Sequence, residues 1–268
     1  MFRFSTGYPS QSYGERGGFR GRLILGLIIA AVSFASYYMS SEINPITGEK
    51  QHVAISKEQE IAMGLQAAPA MAQEYGGLAQ DAEKQRRVDA VGERIVANSV
   101  ARKTDWKYDF HVLDDDSVIN AFALPGGQVF ITEALLDKLG SDDQLAGVLA
   151  HEISHVLARH GAQKLAKMNL VQGLSGAATV ASGDYNSGQM AAMVGQMVTM
   201  KYGREDEIEA DTFGVKIMHE AGYEPRAMIE VMHILAASSK GMRQPEFFST
   251  HPNPDNRIAK IEEAISKL

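Results

Sequence analysis

Residues 141–160, SDDQLAGVLAHEISHVLARH, constrain this chain more than any other stretch. They open as a helix opens. Ser141 suits the N-cap, Gln144 completes a capping box, and Asp142 and Asp143 sit where the helix dipole favours negative charge. Leu145, Val148, Leu149, Ile153, Val156 and Leu157 then recur at helical spacing. His151, Glu152 and His155 therefore fall inside a strongly apolar helix, where burial is costly unless something satisfies them. The two histidines are one turn apart, about 40° round the axis. Two imidazoles so placed bind one Zn²⁺. Glu152, about 100° round from His151, then stands beside the metal as general base for the attacking water. Chance alone gives such an H-E-x-x-H in about one chain in a hundred of this composition.

A catalytic zinc takes three protein ligands and keeps one position open. The chain has no cysteine, so the third ligand is another His or a carboxylate. If the helix runs on, His160 lies roughly 180° round from His151 and reads as a capping or packing residue. The metzincin pattern fails, because Ala158 and Gly161 stand where it needs Gly and His. In GREDEIEADTFG, Glu207 and Asp211 are four apart on one helix face. Glu207 suits a ligand, and Asp211 suits the partner that fixes a ligating histidine's tautomer. The competing reading is a solvated acidic helix start, with Glu205, Asp206 and Glu209 as surface charge. The HEISH motif favours the ligand reading.

The absence of cysteine also removes disulfides, a thiol nucleophile and a lipid-modified N-terminal cysteine. A net charge of −7 leaves no electrostatic footprint for nucleic acid. Residues 1–22, rich in Gly, Ser, Tyr and Arg, read as a disordered tail. Residues 23–39, LILGLIIAAVSFASYYM, form an uncharged apolar run that spans about 25 Å as a helix, near the ~30 Å of a hydrocarbon core. Tyr37 and Tyr38 suit the far interface, and Arg16, Arg20 and Arg22 precede the run. The N-terminus is therefore expected in the cytoplasm and the remainder across the membrane. A cleaved signal peptide is the alternative, and a buried core helix is a third.

Residues 40–55 read as a linker, and 56–268 as the catalytic domain. Helices are expected over 56–75, with Ser56 and Gln59 as a capping box, and over 81–98. Residues 106–113 alternate like a strand. Residues 120–132 read as two strands about Pro125-Gly126-Gly127, with Thr132 capping a short helix over 133–139. Residues 170–188 are loose and small. Residues 189–200 hold four of the thirteen methionines, as plastic core or as a mobile lid. Helices follow over 202–220, from Pro225 to about residue 238, and at the C-terminus beyond a loop over 240–254.

HEISHVLARH, then EIEAD, then FFSTHPNPDNRI closely resemble the membrane-associated zinc metallopeptidases of peptidase family M48, which includes HtpX and the CAAX prenyl proteases. The single-anchor periplasmic subgroup is most similar, from about Asn44 onward. The resemblance implies an α+β, mainly α, gluzincin-type domain with a small sheet behind one transmembrane helix. It implies one zinc per chain, held by His151, His155 and Glu207, with Glu152 as catalytic base and Asp211 behind the ligands. It also implies that His251 approaches the zinc, to block or assist catalysis, and that Arg257 holds the motif's basic position. Some relatives carry a C-terminal tetratricopeptide array, and partner docking of that kind is not expected here.

Zincins bind an extended substrate along an edge strand beside the metal helix, by main-chain bonds. Asn120, Ala121, Phe122, Ala123 and Leu124 are the candidate strand, an ordinary hairpin the competing reading. The expected function is zinc-dependent endoproteolysis of extended or misfolded envelope and membrane-associated proteins. The expected location is a bacterial inner membrane, with the catalytic domain periplasmic. The rivals are a membrane-tethered chaperone-like module with a structural zinc, and a latent peptidase with His251 as fourth ligand. Intact Glu152 favours the enzyme.

Overall fold

The computed structural model describes residues 16–182, 202–238, 246–251 and 256–268. The methionine-rich stretch, residues 1–15 and parts of the loop over 240–254 lie outside the described residues. The elements are α1 (Arg16–Met39), β1 (Ser41–Ile43), β2 (Lys50–His52), α2 (Lys57–Glu74), α3 (Ala82–Asn98), β3 (Asp109–Leu113), β4 (Ala121–Ala123) and β5 (Gln128–Thr132). There follow α4 (Glu133–Leu136), α5 (Asp142–Leu157), α6 (His160–Ser182), α7 (Arg204–Glu220), α8 (Ala227–Ser238), α9 (Phe247–Thr250) and α10 (Arg257–Ile265).

Helix α5 runs through the centre, and every residue from Leu145 to Leu157 is buried. Leu145, Leu149, Ile153 and Leu157 are among the largest fully buried side chains. Each is worth about 1.5–3 kcal/mol of burial. Ser141 Oγ accepts from the Gln144 N–H at 3.2 Å, as the capping pattern requires. The Gln144 side chain takes the Gly140 N–H instead of closing the box. The full box forms at α2, where Ser56 and Gln59 exchange bonds. Helices α3, α7 and α8 pack round α5 with the sheet.

The sheet has the order β3-β5-β4, with β3 parallel and β4 antiparallel to β5. Strand β4 is therefore an edge strand. The hairpin turn puts Gly126 at φ 87 and Gly127 at φ 117, conformations that favour glycine. It lies tightly on α2, where a Cβ on Gly64 would overlap the Pro125 carbonyl oxygen.

Four sequence expectations give way. The segment read as a linker is a docked hairpin, β1–β2, with Asn44 Nδ2 donating to the Leu157 carbonyl at 2.8 Å. Helix α5 stops at Leu157, short of the expected His160, because Arg159 turns the chain at φ 56. Buried Arg159 is held there by Glu60 at 2.6 Å, Glu42 at 2.7 Å and the Ile55 carbonyl at 2.9 Å. Of the stretch read as loose, residues 170–182 are instead the greater part of α6, one helix from His160 to Ser182 that lies along α1, and the rest lies outside the described residues. Helix α1 itself starts at Arg16, inside the expected tail.

Candidate metal centre and active site

His151 and His155 sit one turn apart on α5. Glu207 and Asp211 sit one turn apart on the facing side of α7. The two helices come close because Gly214, on the same face of α7, has no side chain. A Cβ there would lie 3.4 Å from the His151 backbone nitrogen and 2.8 Å from Met228 Cε. His251 ends the short helix α9, and Arg257 begins α10. His151, His155, Glu207 and His251 are all buried, and one ligand atom from each lies within 4.8 Å of all the others.

Hydrogen bonding fixes the protons. His151 Nδ1 lies 2.9 Å from Asp211 Oδ1. A carboxylate only accepts, so Nδ1 carries the proton and Nε2 offers its lone pair to the cluster. His155 Nδ1 lies 2.7 Å from His160 Nδ1, and His160 Nε2 lies 3.3 Å from Glu209 Oε2. The arrangement that satisfies all three has His160 donating to Glu209 and accepting from His155 Nδ1–H. The His155 Nε2 lone pair then also faces inward. The two Nε2 atoms are 3.1 Å apart, and His251 Nδ1 is 3.3 Å from that of His151. Burial lowers the pKa of all three rings, of His155 and His251 well below the usual value. The two Nε2 lone pairs at this distance repel one another unless a cation lies between them, while His251 Nδ1 also lies 3.0 Å from Glu207 Oε1. Two imidazoles and one carboxylate, with no sulfur, form a donor set that fits catalytic zinc.

Glu152 is fully buried, and its carboxylate oxygens have no close hydrogen bond, only the Ala123 N–H nearby and His251 Nε2 at 3.6 Å. Burial raises its pKa to about 8, the Glu207 charge adds to this, and the Ala123 backbone N–H opposes it. Glu207 is raised to about 7 by burial, with His151 and Arg257 opposing. For Asp211, burial works upward, but Arg257 and His151 outweigh it and hold the carboxyl below its ordinary value. Arg257 donates to both Asp211 oxygens at 2.6 Å, and its Nη1 lies 2.9 Å from Glu207 Oε2. It meets the site through these two carboxylates.

Five residues that the sequence did not assign to the site complete its surroundings, among them His160, read above as a capping or packing residue, and Glu209, read above as surface charge. His160 and Glu209 orient His155, as described above. Tyr202 stacks on His155 with ring centres 3.9 Å apart, and Lys164 Nζ lies 3.1 Å above the Tyr202 ring. Phe247 stacks on His251 at 4.4 Å. The five-residue offset from His155 to His160 becomes informative only once Arg159 is known to turn the chain.

Along β4, Asn120, Phe122 and Leu124 are the positions bonded to β5. The Thr132 N–H donates to the Asn120 carbonyl at 3.0 Å, and the Leu124 N–H to the Gln128 carbonyl at 2.8 Å. Antiparallel alternation turns the backbone groups of Ala121 and Ala123 to the free edge. Asn120 is committed elsewhere, its Nδ2 donating to Tyr75 Oη at 3.0 Å. Between this edge and His251 lies a cavity of about 20 Å³, lined by Phe122, Ala123, Lys164, Tyr202 and His251 among others. That volume holds about one water, and a peptide does not fit. The Tyr202 N–H donates to the Thr250 carbonyl at 2.9 Å and ties the two sides together.

Residues 82–265 match the model of peptidase family M48. The chain is 34% identical over 248 residues to the mitochondrial metalloendopeptidase OMA1 of Schizosaccharomyces pombe, covering 91% of this chain and 72% of that protein. It is 31% identical over 258 residues to the beta-barrel assembly-enhancing protease of Yersinia pestis, covering 92% of this chain and 52% of that protein. The chain thus spans about half the length of that bacterial relative. With a match that begins in α3 and ends in α10, the chain belongs to peptidase family M48, a family of zinc metallopeptidases.

Proposed function

We propose that the chain is a membrane-tethered zinc endopeptidase whose resting site is closed by His251. The observation that carries this reading is the convergence of two orphan Nε2 lone pairs and the Glu207 carboxylate, beside the buried Glu152. His151, His155 and Glu207 hold the metal, and Asp211 and the His160–Glu209 pair set the ring protons. When bound, zinc polarises the scissile carbonyl and makes water a better nucleophile. Glu152 takes the proton of the attacking water on a carboxylate oxygen and passes it to the leaving amine. The free edge of β4 offers Ala121 and Ala123 to an extended peptide, which favours substrates without side-chain selection, such as misfolded envelope or membrane-associated proteins.

Helix α1 is the anchor. Phe19–Met39 is long and apolar enough to cross a membrane and is almost wholly exposed in the fold. Arg16, Arg20 and Arg22 at its start favour a beginning in a bacterial cytoplasm, with the catalytic domain in the periplasm. A signal peptide cleaved within α1 would release the same domain.

Closure is supported by the one-water cavity and by His251, which is fully buried against the other donors. An imidazole in the fourth position displaces the attacking water. We expect the wild-type chain to hydrolyse an unstructured peptide slowly, and His251→Ala to raise kcat at equal zinc loading. A chelator should abolish both rates, and zinc should restore them. If His251 instead stabilises the oxyanion, the same substitution lowers kcat by about 10²-fold or more. An unchanged kcat removes both roles. No chelator-sensitive hydrolysis by either protein contradicts the peptidase reading.

A further inference from the structure

We infer that the second half of α6 is embedded in the bilayer beside α1, so that the active centre sits at the membrane surface. This rests on the reading of α1 as the anchor, and extends it to a helix that belongs to the catalytic domain.

The first observation is close packing. Helix α6 runs antiparallel to α1 through small residues. A Cβ on Gly26 would lie 2.8 Å from the Ala177 carbonyl oxygen and 3.0 Å from Ala181 Cβ. A Cβ on Gly173 would overlap Ser33 Oγ. Close backbone approach through Gly, Ala and Ser is how helices associate in lipid, where no hydrophobic effect drives them together. Gly26, Ile29, Ala30, Ser33 and Tyr37 make the less exposed stripe of α1, while Leu25, Leu27, Ile28 and Val32 face outward.

The second observation is charge. From Met168 to Ser182 there is no Asp, Glu, Lys, Arg or His, and Lys167, the last charged residue before that run, is exposed. The two observations agree in depth. At 1.5 Å per residue, Ser33 lies about 9 Å along α1 from Met39, and Gly173 lies about 9 Å along α6 from Lys167. Since Ser33 faces Gly173, the bilayer surface that falls at Met39 on one helix falls at Lys167 on the other. A helix packed along a spanning helix shares its solvent. Asn169 and Gln172 are uncharged polar residues of the kind that form hydrogen bonds between helices in lipid. Among the described residues only α1 is long and apolar enough to cross alone, so α6 enters as its partner.

The consequence is for substrates. His160, at the start of α6, touches His155, and Lys164 lines the cavity beside His251. Lys164 is about 6 Å along the helix from Met168. The site therefore lies within a few turns of the lipid. The peptide that pairs with β4 is a segment held at the membrane surface, such as the juxtamembrane part of a damaged membrane protein.

The cysteine-free chain allows a direct test. Single cysteines replace Val171 and Ser175 in α6, Leu27 in α1 and Lys138 in the catalytic domain, all exposed in the fold. The full-length proteins in unsealed membranes are treated with a water-soluble maleimide, before and after detergent. The expected result is that Lys138→Cys labels at once, and the other three label only after detergent. If Val171→Cys and Ser175→Cys label like Lys138→Cys while Leu27→Cys stays protected, α6 lies outside the bilayer and the inference fails while the anchor stands. If Leu27→Cys also labels without detergent, the anchor reading fails and takes this inference with it.

Discussion

Glu152→Gln should lower kcat on an unstructured peptide by about 10²–10⁴-fold, the range for losing a positioned general base, and should leave zinc content unchanged. The amide has nearly the carboxylate's shape, so the fold is kept, but it does not take the proton of the attacking water. The same substitution should stabilise the metal-free chain at high pH. The Glu152 carboxyl moves from 4.5 to about 8 on folding, because burial penalises its charged form. Below pH 4.5 it is protonated in both folded and unfolded chains and contributes nothing. As pH rises towards 8 the unfolded chain ionises first, so stability is progressively lost, by up to about 5 kcal/mol above pH 8. Glutamine removes that part of the slope. Denaturant unfolding of both metal-free proteins at pH 5 and pH 9 measures it. Parallel losses in wild type and variant would show that Glu152 does not titrate as described.

The second large effect concerns Arg257. Its side chain is 1% exposed and is the main counter-charge to Asp211 and Glu207, which are themselves buried. Arg257→Leu strands two carboxylates in the core. Breaking a buried ion pair from one side costs about 3–5 kcal/mol, which lowers Tm by roughly 10 °C in a chain of this size. Asp211 then no longer holds a firm negative charge against His151, and zinc affinity should fall by about 10–100-fold. Arg257→Lys keeps the charge but loses the two-pronged grip on Asp211, so it should recover only part of both losses. Thermal melts of the metal-free proteins and competition with a zinc chelator read the two effects separately. A leucine variant with wild-type Tm and zinc affinity would leave Arg257 without a role in the site.

What was legible in the sequence was local. The period of α5, the caps at Ser56, Ser141 and Thr132, and the turn at Gly126 and Gly127 all follow from neighbours a few residues apart. The spacing of His151 and His155, and of Glu207 and Asp211, also follows from helix geometry alone. What was not legible depends on distant partners. Nothing local marks Arg159 for a positive φ; it is held there by Glu42 and Glu60, far off in sequence. That turn brings His160 back onto His155 and starts α6, which helical spacing alone placed on the wrong side. The hairpin at residues 41–52 looked like a linker because its strands are short and polar. It is docked by Asn44 and Arg159 rather than by an apolar face. Tyr202 carried no motif, and its stacking on His155 is purely a matter of tertiary placement.

If His151, His155 and Glu207 hold one zinc, the metal content follows Glu207 and not its acidic neighbours. Metal analysis of the purified full-length chain tests this most directly, beside Glu205→Ala, Glu207→Ala and Glu209→Ala. About one zinc per chain is expected for wild type. Near-complete loss is expected for Glu207→Ala, full retention for Glu205→Ala, and at most weaker binding for Glu209→Ala, since Glu209 acts through His160. Full zinc in Glu207→Ala, with loss in Glu205→Ala or Glu209→Ala, would contradict this ligand set.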